Sequence, residues 1–269
     1  MPDLPEHVLV NQAHWNQDAH EWVAFGERSW AGEPTWGIWN IPQSELPLLP
    51  EEMTGLDAIE LGCGTAYVSA WMARRGARVV GIDISEGQLS TARRLASQHG
   101  VELTLIHGNA EEVPYPAESF DFAISEYGAA LWCDPYLWIP EAHRLLKPRG
   151  ELVFLSNSIL VPLCSPIDGT LPLTEHLERD YFSIYRLDWR EAIDEPGGIE
   201  FNLPISAWFQ LFRQTGFEVL EFREIQAPQG GKDASFGITA DWARRFPSEQ
   251  VWRVRKWSGA TETGVVIGP

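Results

Sequence analysis

The run Ala58-Ile59-Glu60-Leu61-Gly62-Cys63-Gly64-Thr65-Ala66 constrains this chain more than any other feature. A short apolar segment runs into two glycines spaced by one residue, and a helical pattern follows. That order reads as a strand, a tight turn and a helix start. Glycines in such a turn permit positive φ and let a ligand approach the backbone closely. The helix start offers unpaired N–H groups and a partial positive charge. Nineteen residues after Gly64, Asp83 ends the next apolar run. A carboxylate at that place accepts from both hydroxyls of a ribose.

The alternation continues. Residues 65–75 read as a helix with Val68, Trp71 and Met72 on one face. Residues 78–83 read as a strand, Ser85 as an N-cap and 88–98 as a helix ended by Gly100. Residues 101–106 and 120–125 are two further strands. A helix over 135–146 stops at Lys147-Pro148-Arg149-Gly150, and 151–155 is the fifth strand. Strands and helices in this order build a parallel sheet covered on both faces, with right-handed crossovers. After Asn157 the pattern changes. Residues 158–203 carry nine acids against three arginines and read as an insertion with little regular sheet. A helix over 205–215 and strands over 217–225 and 249–257 follow. Residues 258–269 are expected to fray.

The length, 269 residues, allows one decorated domain or two small ones. A net charge of −18 disfavours phosphate backbones and acidic membrane surfaces as partners. Nine acids and one base (Arg28) fall in the first 55 residues. No apolar run reaches the roughly 18 residues of a membrane span, and the N-terminus lacks the pattern of a secretory signal. Cys63, Cys133 and Cys164 form no CxxC pair, which argues against structural zinc and fits a reducing cytoplasm. Trp15, Trp22, Trp30, Trp36 and Trp39 crowd one N-terminal segment. Trp15, Trp30, Trp36 and Trp39 serve either as packing between segments or, with Tyr181, Phe182, Tyr185 and Trp189, as a lid and apolar acceptor wall.

Two nucleoside cofactors use a turn of this kind. A dinucleotide wants G-x-G-x-x-G, but the third glycine position is Tyr67. Together with the acid at Glu60, ELGCGTA resembles the first motif of class I S-adenosylmethionine-dependent methyltransferases. GIDIS at 81–85 is similar to their second-strand motif. GNAEEVPYPAESFDFAISEYG at 108–128 resembles their third and fourth, and LLKPRGELVFL at 145–155 their fifth. The nearest likeness is to the small-molecule enzymes of ubiquinone and menaquinone biosynthesis, the type 11 group. The resemblance covers about residues 55–157.

It implies an α/β fold: a doubly wound, mostly parallel seven-stranded Rossmann-like sheet with an antiparallel last strand. To this are added an N-terminal helical segment and the insertion after the fifth strand. One domain would hold a cap (1–50), a cofactor-binding half (55–157), the insertion (158–203) and a C-terminal sheet half (204–257). Glu60 would orient the amino-acid end of S-adenosylmethionine. Gly62, Cys63 and Gly64 would lend backbone contacts. Asp83 and Gln88 would meet the ribose, and Ile84 would pack on the adenine. Asn109 and Ala110 would read the adenine edge, with Asn109 standing where the family often has Asp. Ser125 would lie beside the methionine part.

The expected activity is in-line methyl transfer to a small, partly apolar or aromatic acceptor, with no metal, nucleic acid or membrane. The leaving thioether is neutral, so the protein's task is to position the acceptor, exclude water and, if needed, remove a proton. Glu126, His14 and His20 are the candidate bases, beside the alternative of catalysis by positioning alone. Competing readings are a non-catalytic S-adenosylmethionine-binding protein and, behind it, an NAD-dependent oxidoreductase. Neither the acceptor nor the oligomeric state is legible in the sequence.

Overall fold

The computed structural model describes residues 4–234 and 236–258, so the expected fraying over 258–269 lies almost wholly outside the described residues. Two helices, α1 (Glu6–Gln17) and α2 (Val23–Ala31), lead into a small antiparallel hairpin, β1 (Thr35–Trp36) and β2 (Ile41–Pro42). Then comes the alternating unit: β3 (Asp57–Leu61), α3 (Tyr67–Arg74), β4 (Arg78–Asp83), α4 (Glu86–His99) and β5 (Thr104–His107). It continues through β6 (Phe120–Glu126), α5 (Gly128–Trp132), α6 (Pro135–Leu145) and β7 (Leu146–Asn157). The insertion holds α7 (Leu160–Cys164) and a short antiparallel pair, β8 (Arg186–Asp188) and β9 (Ile199–Phe201). The chain ends with α8 (Ile205–Thr215), β10 (Phe217–Ile225), α9 (Ala240–Ala243) and β11 (Glu249–Lys256).

The main sheet has seven strands in the order β10-β11-β7-β6-β3-β4-β5. The pairs among β7, β6, β3, β4 and β5 are parallel, and β11 runs antiparallel to both its neighbours. Both faces are covered. Along β7, Val153 and Leu155 join one buried cluster with Met72 and Trp242, while Leu152 and Phe154 join another with Trp138, Trp208 and Trp252. A strand buried on both faces has no polar alternation, which is why these strands read as continuous apolar runs. Gly81 in β4 is a packing requirement: a Cβ there would lie 3.0 Å from the Cys63 thiol, under the glycine turn.

Three elements depart from the sequence reading. The helix expected from residue 65 starts at Tyr67, because Ala66 is left-handed (φ +60°) and extends the turn. The third strand begins at Thr104, and Lys147–Gly150 belongs to β7 rather than only ending a helix. Among the described residues no helix is long and apolar enough to cross a membrane.

Candidate cofactor and acceptor site

The carboxyl ends of β3, β4 and β6 meet at one place. Gly62 (φ +74°) and Gly64 (φ +51°) turn the chain back over β4, and the Gly62 and Cys63 amides both donate to the Ile82 carbonyl at 2.9 Å. The Gly64 amide donates to Asp83 Oδ2 at 2.7 Å, and the Ser85 amide to Asp83 Oδ1 at 2.8 Å. Asp83 therefore ties the glycine turn to the start of α4. The two glycines face different surroundings. A Cβ on Gly62 would lie 2.6 Å from the Ala129 amide nitrogen, so the start of α5 is pressed against it. A Cβ on Gly64 would meet only Gln88 Oε1, at 3.9 Å. That oxygen is buried and has no hydrogen-bond partner. Gly64, Asp83 and Gln88 thus stand together, with a buried acceptor that no donor uses.

The other predicted cofactor residues divide. Glu60, 2% exposed, spends Oε2 on the amide and hydroxyl of Ser69 in α3, and burial pushes its carboxyl up to about 8. Ile84 offers its carbonyl to Gln12 of α1 (3.2 Å) and to His107 (2.9 Å), so α1 lies across this end of β4 and β5. Asn109 accepts from the Glu111 amide at 3.0 Å, a local turn that occupies the amide oxygen expected to face a base. Ala110 is buried. Ser125 is fully buried: it donates to the Leu61 carbonyl (2.8 Å) and accepts from the Ala130 amide (3.1 Å). It holds β3 against α5. Cys63 points into the core beside Trp30 and Leu89, and burial raises its thiol well above the ordinary value.

Of the candidate bases, Glu126 is the one held at the strand ends. Its Oε1 accepts from the Gly37 amide at 2.8 Å and its Oε2 from the Tyr67 hydroxyl at 2.5 Å. Burial raises its carboxyl above the usual range. His14 is half-buried on α1, paired with Asp18 at 3.2 Å and set against Trp15 and Trp132; desolvation lowers its imidazole. His20 is exposed and bonds the Gln17 carbonyl. The aromatic residues do not form one wall. Trp30 and Trp36 are fully buried, and Trp39 donates to Ser248. Tyr185 donates to Asp134, while Phe182 is 87% exposed.

The sequence reading missed Glu249. It opens β11, at the carboxyl end of β7, and is fully buried. Its Oε1 accepts from the Tyr127 hydroxyl (2.7 Å) and the Ile38 amide (3.0 Å); its Oε2 is buried without a partner. Burial pushes this carboxyl up to about 8. The one signal was an acid opening a strand shortly before the apolar pair Val251 and Trp252.

Glu60, Asp83, Glu126 and Glu249 therefore gather at one end of the sheet, and their hydrogen-bond donors are all neutral amides and hydroxyls. Arg78 and Lys147 sit at the other end, paired with Asp57 and Asp121 where β3 and β6 begin. A pyrophosphate would be repelled at such a site. A nucleoside carrying a sulfonium and an ammonium suits it, and the orphaned Gln88 oxygen is an acceptor for its hydroxyls or amine.

Residues 59–154 match the family model described as "Methyltransferase domain". A ubiquinone biosynthesis O-methyltransferase of Ruegeria pomeroyi is 40% identical over 96 residues, 36% of this chain and 39% of that protein. A demethylmenaquinone methyltransferase of Listeria welshimeri is 37% identical over 110 residues, 39% and 46%. The matched stretch thus spans less than half the length of these curated relatives. Among solved structures, an S-adenosylmethionine-dependent methyltransferase from Mesorhizobium loti superposes with a TM-score of 0.62 at 21% identity, over 79% of this chain and 96% of that one. The [4+2]-cyclase SpnF superposes with a TM-score of 0.61 at 19% identity, over 96% and 99%. The resemblance to the methyltransferases and the seven-stranded Rossmann-like fold are thereby established.

Proposed function

We propose that this chain, built around a methyltransferase domain at 59–154, transfers a methyl group from S-adenosylmethionine to a small, partly apolar or aromatic acceptor. The observation that carries the reading is the 2.7 Å bond between the Gly64 amide and Asp83, with the unpartnered Gln88 oxygen beside it. Asp83 and Gln88 would hold the ribose, the backbone of Gly62–Gly64 the methionine part, and Ile84 and Ala110 the adenine. The bound donor supplies an electrophilic methyl carbon and a neutral leaving group. The relatives' names support an acceptor of quinone type. In this reading the chain works as one domain, with 1–50 as its cap and 158–203 on the acceptor side. The −18 charge favours a small acceptor over a nucleic acid, and three free cysteines favour a cytoplasmic setting.

Calorimetry with S-adenosylmethionine, S-adenosylhomocysteine and NAD tests the cofactor. We expect micromolar-range binding of the first two and none of NAD; the reverse order would falsify the assignment. A second reading has a specific support. The cyclase superposes over nearly the whole length of both chains, so this fold also serves a reaction named otherwise than methyl transfer. Mass analysis of products from hydroxylated aromatic acceptors separates the two. A methylated product supports the first reading, and turnover without a gain of a methyl group supports the second.

A further inference from the structure

We propose that Glu249 binds the acceptor's hydroxyl and takes its proton. This rests on the methyltransferase reading above and adds to it the reacting group, an O–H, and the residue that receives it. Three observations point there. Glu249 stands at the ligand end of the sheet, where β7 ends and β11 begins. Its Oε1 is fixed by the Tyr127 hydroxyl and the Ile38 amide, so the carboxyl is pre-oriented, while the buried Oε2 has no partner. It is also joined to the cofactor turn through the chain itself. Tyr127 holds Glu249, and the next residue, Gly128, abuts Gly62 so closely that a Cβ on Gly128 would lie 2.1 Å from the Gly62 carbonyl. Tyr127 keeps this place in a left-handed conformation (φ +57°), which bulky residues rarely adopt.

The groups facing Glu249 are Tyr127, Glu126 and the hairpin backbone at Gly37 and Ile38. None of them is a cation. The hairpin covers the free oxygen's neighbourhood, since a Cβ on Gly37 would lie on Glu249 Oε1, so acceptor uptake requires the hairpin to shift. In the step itself the acceptor's O–H proton passes to Glu249 Oε2 and the acceptor oxygen bonds the methyl carbon. The carbon–sulfur bond breaks with its electron pair left on sulfur. One carboxylate and one sulfonium become a neutral acid and a neutral thioether, a loss of charge that a water-poor site favours.

The test uses the full chain loaded with S-adenosylhomocysteine and catechol, whose hydroxyls keep their protons at neutral pH, as the acceptor probe, with binding followed by calorimetry. We expect saturable binding to the wild type and a Kd raised about tenfold or more in Glu249→Ala. Glu249→Gln keeps acceptors for Ile38 and Tyr127. It should bind S-adenosylhomocysteine as the wild type does and take up the probe within about threefold. With S-adenosylmethionine it should methylate the probe about a hundredfold more slowly, on the scale of a lost general base, and Glu249→Asp should recover part of that rate. A wild type that binds S-adenosylhomocysteine but not the probe overturns the proposal and leaves the cofactor reading intact. So does a Gln variant with wild-type turnover, or one that loses S-adenosylhomocysteine. A probe bound but not methylated by the wild type removes the proton-accepting role. Failure of the wild type to bind S-adenosylhomocysteine removes the reading beneath both.

Discussion

Asp83 carries two loads at once. It holds the Gly64 and Ser85 amides, and in the proposed complex it also accepts from the ribose. Replacing it with Ala should therefore weaken S-adenosylmethionine by roughly 1–3 kcal/mol, the scale of lost charged hydrogen bonds. Asn keeps one acceptor and should fall between the two. Calorimetry on all three proteins checks this, and an unchanged Kd in the Ala variant removes Asp83 from the site. Gly62 makes a prediction of a different kind. Its φ of +74° and the 2.6 Å approach of the Ala129 amide leave no room for a methyl group. Gly62→Ala should lower unfolding free energy by about 1–3 kcal/mol in urea melts, through strain and displacement of the start of α5. Both residues were legible in the sequence, because a turn glycine and a strand-end acid are local signals. Glu249 was not, since its partners Ile38 and Tyr127 lie 211 and 122 residues away.

Most elements of the sheet were readable for a similar reason. Doubly buried strands are apolar runs, and α4 between two of them carries its own signals: Ser85 caps it and Gly100 ends it in the left-handed region. α8 and β10 fall where the pattern put them, over 205–215 and 217–225. The short pieces of the insertion were not readable. β8 and β9 have three residues each and are fixed by contacts rather than by a pattern of their own. Asn11 shows how. Buried on α1, it donates to the Trp132 and Ile199 carbonyls, both at 2.9 Å, and accepts from the Ile199 amide at 2.7 Å. One side chain thus pins the N-terminal helix to α5 and β9. Asn11→Ala leaves a buried amide and carbonyl unpaired and should cost about 1–3 kcal/mol. Hydrogen exchange should quicken along α1 and at 199–201 while the protection of β3 and β4 stays as in the wild type. Exchange quickened equally throughout would mean that α1 is no separable cap.

At the scale of the whole molecule, the two ends of the sheet differ in electrostatic character, and that difference sets how the protein responds to pH. Burial lifts Glu60 and Glu249 to about 8 and raises Asp83 and Glu126 as well. Around neutrality the folded, ligand-free chain therefore keeps protons that the unfolded chain has released. Linkage then requires stability to fall as pH rises from the ordinary carboxylate range through 8, so the melting temperature should drop between pH 6 and pH 9. A bound cation reverses the preference, because it favours the ionised carboxyls. S-adenosylmethionine should accordingly bind more tightly as pH rises towards 8, by up to about tenfold per pH unit for each proton expelled, and level off above it. S-adenosylhomocysteine shares the nucleoside and the amino acid but lacks the sulfonium, so its affinity should climb less steeply. Calorimetry of both ligands from pH 6.5 to 8.5, repeated in buffers of different ionisation heat, measures the slopes and counts the protons. Equal slopes would place the sulfonium away from the buried carboxyls; a steeper slope for the cation would put it among them.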